Sequence, residues 1–536
     1  MYHGQRIRYI VGLAIFVLLV VISLTYGRSF GAKNLSINGL FPVSRPTPPA
    51  SEAAVCRAKQ NDYAGAHDEL LSEECDNDIH LPYVGDVNVF GGSGRCYRAG
   101  VRLERYRLAS GRNGSDLNWG RMQSQCASAS YVPLSREQQM QHIWRQPPDQ
   151  DERNTTESSE PDTAIVLRTW DDYEYTDNRL AWLRAVISEA SFQRKHRYRV
   201  FFLVNIKNPE LYLQGDTDDY ERLLRNCVPE EFRHMAFLFN EKTLKAWYPL
   251  VSEHRAQDQM YQALQIFSHK FPEYEFLWQL EMDLRFTSHI HDMLEASATF
   301  ARKQKRRNLW ERNGRFYNPA LYNYSYEDFA SAVDDQIGEA GIWGPVPTLD
   351  FLPYGPQASI KNPDWGIEEE ADLISFMPMV DPVGTKWVYE NVVEGFADGV
   401  KTPRRLAIIS ITRSSRRLLR LVSDAQRQYG RWLVSEATLE TFSLLHGLKA
   451  VTVPHPIVFN RNITATELDT AIHRGPLNNR AGGDHPSMLY TMDGWIDGPW
   501  WDASYWFTGV SAQAFWDMYL GGVSLPPMLL HPVKEK

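Results

Sequence analysis

Apolar residues fall along this chain in blocks, and the spacing inside each block says what it builds. Ala164–Thr169 opens on four consecutive apolar residues and predicts a strand, whereas Asn178–Phe192 repeats its apolar positions every three to four residues and predicts an amphipathic helix. The alternation continues with a strand at Tyr198–Asn205, a helix at Tyr220–Cys227, a strand at Met235–Phe239 and a helix at Gln257–His269. A strand follows that ends in Phe276-Leu277-Trp278-Gln279-Leu280-Glu281-Met282-Asp283-Leu284-Arg285-Phe286, then a helix from about His289 to Arg306. Later come an apolar segment at Leu406–Ile411, a helix near Glu436–His446 and a short strand at Ala450–Val453. Strands alternating with helices predict an α/β domain over residues 163–536, with a mostly parallel central sheet covered by helices on both faces.

The N-terminal part reads differently. Residues 9–26 form an uncharged apolar stretch long enough to span a bilayer as one helix, and Arg6 and Arg8 before it predict a short cytosolic tail over 1–8. A cleaved signal peptide shares the basic start and apolar centre; the length of the run and the bulky Tyr26 and Arg28 after it favour an uncleaved type II anchor. Pro42, Pro46, Pro48 and Pro49 then mark an extended stem. Residues 27–162 as a whole read as lumenal stem and cysteine-containing collar, closing on the polar, Pro- and acid-rich stretch Gln146–Asp162. Sequons at Asn34, Asn113, Asn154, Asn323 and Asn462 all lie beyond the anchor and are candidate glycosylation sites. Cys56, Cys75, Cys96 and Cys126 allow two disulfides by any of three pairings, and their spacing does not fit a structural zinc.

Net charge is −9 with basic residues scattered, which argues against a nucleic-acid partner. No glycine-rich dinucleotide fingerprint follows the first strand and no G-x-x-x-x-G-K-[ST] occurs, so a Rossmann oxidoreductase and a P-loop nucleotidase are both disfavoured. A nucleotide here would be held by side chains and a metal. The Glu281-x-Asp283-x-Arg285 run supplies such groups. In an extended segment alternate side chains share a face, so these three should emerge together where a strand leaves the sheet. Two acids can hold a hard cation, and Arg285 would either grip a diphosphate or orient Glu281. Acid-x-acid triplets arise by chance about eight times in a chain with 66 acids among 536 residues, so placement has to carry the assignment. Arg168 and Asp171 close the first strand; they are candidates for nucleotide contact, with a strand-end ion pair as the alternative.

Several segments together resemble the fungal "domain of unknown function 3405" family, from about Asn118 to the C-terminus. They are Ile165-Val-Leu-Arg-Thr-Trp-Asp171, Trp278-Gln-Leu-Glu-Met-Asp-Leu-Arg-Phe-Thr-Ser-His289, Leu309-Trp-Glu-Arg-Asn-Gly-Arg-Phe-Tyr317, Ile342-Trp-Gly-Pro-Val-Pro347, Trp365-Gly-Ile-Glu-Glu-Glu-Ala-Asp-Leu373, His446-Gly-Leu-Lys-Ala450 and Leu525-Pro-Pro-Met-Leu-Leu-His-Pro532. The family's acidic motif reads E-M-D-x-R-[YF]-T-G-H, and Ser288 stands here in place of its glycine. Members of the family look like type II Golgi glycosyltransferases of GT-A architecture. That resemblance implies a divalent metal, Mn or Mg, on Asp283 with Glu281 contacting metal, water or ribose. It also implies a histidine near the C-terminus as further ligand, for which His531 and His455 are the candidates.

An inverting transferase needs a carboxylate to take the acceptor's proton. Glu369, within Glu368-Glu369-Glu370, and Glu436, opening a helix, are the candidates; a retaining mechanism would not need the same base. Trp495, Trp500, Trp501, Tyr505 and Trp506, among Asp493, Asp497 and Asp502, suit either a carbohydrate acceptor or core packing. The expectation is a Golgi or endoplasmic-reticulum membrane glycosyltransferase using a nucleotide-sugar donor and a glycan or small-molecule acceptor. Its rivals are a catalytically silent lumenal carbohydrate-binding or scaffolding protein, and a glycoside hydrolase, which would not require the arginine beside the acids.

Overall fold

The central sheet has seven strands, and chain order gives β1 Asp162–Trp170, β2 Tyr198–Asn205, β3 Ala236–Phe239, β4 Tyr274–Glu281, β5 Leu373–Ser375, β6 Ile411–Ser415 and β7 Ala450–Thr452. Across the sheet the order is β7-β5-β6-β4-β1-β2-β3. All neighbours are parallel except β6, which runs against both β4 and β5. The computed structural model describes residues 72–75, 81–91, 94–107, 118–120, 123, 162–192, 198–211, 213, 217–357, 362–385, 387–473 and 502–535. The stretch 9–26 expected to be an anchor, the prolines expected to mark a stem, Asn34, Asn113, Asn154, Cys56, Cys126 and the tryptophans at 495, 500 and 501 lie outside those residues. Among the described residues no helix is long and apolar enough to cross a membrane.

β1 is apolar without alternation because it is buried on both faces: Ala164, Ile165, Val166 and Leu167 are all 0 % exposed. The covering helices are α1 Asp177–Ser191, α2 Thr217–Cys227, α3 Met260–Lys270, α4 Ile290–Lys303, α5 Arg416–Tyr429 and α6 Ser435–His446. Their ends follow local chemistry. Thr176 and Ser415 cap the starts of α1 and α5 by accepting from Arg179 and Leu418 backbone N–H groups. Gly430 and Gly447 end α5 and α6 in the left-handed region, at φ 62° and 65°. The connection β1-α1-β2 steps one way across the sheet and β3-α3-β4 steps back, so right-handed crossovers put α1 and α3 on opposite faces.

Residues from the segment read as a collar are packed on this domain. Tyr83–Val84 pairs with Ile457–Val458, and Cys75 is joined to Cys96, a pairing that spacing alone left open. Arg102 reaches in to Glu189 of α1 with two hydrogen bonds of 2.7 and 2.9 Å, and both side chains are buried. Val380 and Leu406 exchange two backbone hydrogen bonds of 2.8 Å, and within the excursion between them Val393–Glu394 pairs antiparallel with Trp432–Leu433.

Candidate functional site

β4 ends at Glu281, and the extended geometry ends with it. Met282–Leu284 form a turn whose apolar members Met282 and Leu284 are buried, 1 % and 0 % exposed, with the Leu284 amide 3.3 Å from the Glu281 carbonyl. Arg285–Phe286 then begins a separate short ladder, antiparallel to Leu529–Leu530. The expectation that Glu281, Asp283 and Arg285 share one face therefore fails at its third member. Glu281 and Asp283 converge, but the turn swings Arg285 into the interior, 0 % exposed. Its Nη1 donates to the Met282 and Leu284 carbonyls at 2.8 Å, and its guanidinium lies 4.6 and 5.6 Å from the Trp182 and Trp516 ring centroids. A guanidinium committed in this way cannot grip a diphosphate; it braces the turn that presents the acids.

The third partner comes from the far end of the sequence. His531 Nε2 stands 3.1 Å from Glu281 Oε2 and 3.2 Å from Asp283 Oδ1. The three residues bring one ligand atom each within 4.8 Å of one another and could hold a metal ion. Nδ1 of His531 is engaged by the Trp506 carbonyl, which leaves Nε2 as the ring nitrogen facing the acids. Nε2 is buried, and despite its closeness to both carboxylates it makes no hydrogen bond of good geometry with either. Two carboxylates and an imidazole fit a divalent cation such as Mn better than Mg, which prefers oxygen alone.

Electrostatics couple the three. Burial works against a charged His531, but Asp283 and then Glu281 outweigh it and raise the imidazole to about 10. Burial would raise Asp283, yet His531, with Lys534 and Arg285 behind it, brings the carboxyl down to about 2. Arg168, opposite Glu281 in the β1–β4 register, donates to Glu281 Oε1 and, at 3.3 Å, to the Ala256 carbonyl. It is a strand-end ion pair that turns the other carboxylate oxygen toward His531.

The other sequence candidates separate. Glu436 opens α6 beside this cluster, and its carboxyl is raised to about 7 by burial, with Asp258 and Glu281 adding to the effect and Arg168 opposing it. Glu369 does not belong here: it precedes β5, at the opposite edge of the sheet, and takes two hydrogen bonds of 2.7 and 2.6 Å from Arg306. Asp171 accepts the Lys207 backbone N–H at 3.1 Å and holds a turn, outside the cluster. His455 is buried against Phe90, Phe376 and Tyr505, lowered to about 3 by burial, and is not one of the three ligands. Tyr505 and Trp506 are both 0 % exposed and belong to the core, so neither offers a stacking face. Asn323 and Asn462 are exposed.

Two features had no signal in the sequence reading. Glu440, one turn after Glu436 on α6, is 0 % exposed, and neither of its carboxyl oxygens has a hydrogen-bond partner. Tyr261 of α3 has its hydroxyl 3.4 Å from Thr412 of β6, and its ionisation is opposed by burial, Glu440 and Glu436. Gln259, at the N-cap of the same helix, and Gln262 and Gln265 within it were the available hint, since amides at that spacing do not suit a dry core.

Fold and cluster together define an α/β protein with a metal-competent Glu-Asp-His centre at the carboxyl edge of its parallel strands, where open sheets of this kind bind ligands. The chain belongs to the family described as "Protein of unknown function (DUF3405)", which it matches over residues 112–535. Comparison with curated proteins finds no match.

Proposed function

We propose that this chain is a metal-dependent glycosyltransferase of GT-A type that moves a sugar from a nucleotide-sugar donor to a hydroxyl of a glycan or small molecule. The observation that carries the reading is the convergence of Glu281, Asp283 and His531 at the carboxyl edge of β4. A divalent cation bound there supplies charge neutralisation for a diphosphate leaving group. Glu281, Asp283 and His531 would hold that cation, and Arg168 fixes the carboxylate of Glu281. With Glu369 at the other edge, the base role falls to Glu436. In an inverting transfer the bond from sugar to phosphate breaks, the acceptor oxygen bonds to the sugar, its proton passes to Glu436, and the nucleoside diphosphate leaves. The Cys75–Cys96 disulfide supports folding in an oxidising compartment, in keeping with a lumenal domain behind a type II anchor in the Golgi or endoplasmic reticulum.

A second reading has its own support. A protonated His531 placed 3.1 and 3.2 Å from two carboxylates is a self-sufficient ionic triad, as a catalytically silent lumenal protein would keep it. Thermal unfolding with Mn and a panel of UDP and GDP ligands separates the two. Specific binding raises the melting temperature through linkage, and Asp283→Ala abolishes the shift. A wild-type protein that never responds, or a variant that responds equally, overturns the transferase reading.

A further inference from the structure

Arg285 and the tail that delivers His531 are joined at one more point. Glu535 lies four residues beyond His531, its side chain 6 % exposed and directed into the same interior as the motif arginine. Its Oε1 accepts from Trp516 Nε1 at 2.7 Å and faces Arg285 Nε and Nη2 at 3.4 Å. Its Oε2 takes the Thr176 hydroxyl at 3.4 Å and lies 3.9 Å from Arg179, whose Nη2 also donates to the Glu535 carbonyl at 2.5 Å. Between His531 and Glu535, the Val533 backbone N–H donates to the Asp283 carbonyl at 2.8 Å. On the other side of His531, Leu530 pairs with Arg285 and Leu529 with Phe286, and the Thr287 hydroxyl donates to Pro526 and accepts from the Met528 amide at 2.9 Å.

The acid-bearing turn and the histidine-bearing tail are thus laced together over their whole length. The lacing ends on a buried charge pair. Burying a guanidinium against indole rings costs heavily unless a carboxylate is near, and Glu535 is the acid that reaches Arg285. The same guanidinium holds the Met282 and Leu284 carbonyls on either side of Asp283. A change at Glu535 is therefore felt at both ends of the ligand set: through Arg285 at Asp283, and through Val533 and the tail at His531.

We propose that Glu535 is a positioning residue for the metal centre, a buried anchor that fixes His531 against Glu281 and Asp283 without touching the ion itself. This rests on the reading of those three residues as a metal site. Hydrogen-bonded supports behind a ligand typically govern 10- to 100-fold in affinity, so loss of the anchor should weaken Mn binding by at least about tenfold.

The test is Mn affinity of the whole chain by titration calorimetry, well below the melting temperature, for wild type, Glu535→Gln, Trp516→Phe and His531→Ala. Gln keeps an acceptor for Trp516 but removes the charge opposite Arg285; Phe keeps the packing but removes the hydrogen bond, and is the milder variant should Gln impair folding. Weakened Mn binding in both folded variants, larger for Glu535→Gln and complete in His531→Ala, supports the anchor. A lower melting temperature with unchanged Mn affinity shows Glu535 to be structural only and overturns it. Should wild type itself bind no Mn, the metal reading falls and the anchor with it, a result distinct from wild-type binding that Glu535→Gln leaves intact.

Discussion

Arg168 and Glu281 face each other across β1 and β4 in the same register, and the guanidinium occupies one carboxylate oxygen while the other turns to His531. The pair is one-fifth exposed on each side, 19 % and 21 %, so its energy is tempered by solvent, but its geometric effect is not. Arg168→Met should leave the fold intact and weaken Mn binding by about 10- to 100-fold, as removal of a support behind a ligand does. Calorimetric titration of the variant checks it.

Proton occupancy of His531 sets the pH dependence of that binding. Its folded value is raised to about 10, so from pH 6 to 9 the metal-free protein carries a proton that an incoming cation must displace. Mn affinity should therefore rise with pH, by up to about tenfold per unit. The metal-free fold shows the opposite slope on its alkaline side: stability from His531 is full below about 6.5 and is lost as pH rises through about 10. Asp283, brought down to about 2, contributes above about 3.8 and loses its contribution as pH falls toward 2. Mn titrations at pH 6, 7 and 8 give the first slope and chemical denaturation across pH the second.

On the transferase reading proposed above, Glu436→Gln should lower sugar transfer by about 100- to 10,000-fold while leaving the Mn- and nucleotide-linked rise in melting temperature in place. A base acts on the acceptor, not on donor binding. Transfer and melting measured on the same sample distinguish this from a general collapse of the site.

Glu440 makes a prediction about stability alone. Burial, with Glu436 nearby, holds its carboxyl well above the ordinary range, so the folded state keeps the proton that the unfolded chain releases above about 4.5. Its effect on stability is favourable below that pH and becomes unfavourable as pH rises. Glu440→Gln, uncharged at every pH, should gain stability relative to wild type between pH 5 and 8, read as a growing difference in urea midpoint.

The collar's attachment can be tested at Arg102. Its partner Glu189 also accepts the Ile290 amide at 2.9 Å, at the start of α4, so Arg102→Ala leaves a buried carboxylate uncompensated between two helices. The expected loss is about 3–5 kcal/mol by denaturant titration.

The regular part of this fold was legible because its strands and helices obey their periods. β2 is bounded as its apolar run predicted, and α1 and α6 start within one residue of expectation. β6 was hidden by its own polarity. The apolar segment expected at Leu406–Ile411 meets the strand only at Ile411, and Thr412-Arg413-Ser414-Ser415 carry it on with polar residues that are all buried, since Arg413 pairs with Glu370 at 2.6 Å and its guanidinium lies 4.3 Å from the Phe276 ring centroid. Arg285 was misplaced for a different reason. Alternation predicts a shared face only while the backbone stays extended, and nothing in Met282-Asp283-Leu284 announces a turn. Glu369 could not be excluded from sequence because Arg306, which occupies it, lies 63 positions away. His531 came into view only through family resemblance, since a lone histidine beside proline carries no spacing signal.

The clasp between Val380 and Leu406 has a consequence for how such a protein can diversify. The residues between them are tied to the body of the fold by the Val393–Glu394 ladder with Trp432–Leu433 and by the Arg405 backbone at the Thr441 hydroxyl, and just beyond Leu406 the Ala407 backbone N–H donates to the Glu436 carbonyl at 3.0 Å. An insertion between the clasp and that ladder leaves the register of the central sheet and the Glu281, Asp283 and His531 trio untouched. The fold thereby separates a centre fixed by the sheet register from short exposed stretches in which sequence can vary without disturbing it.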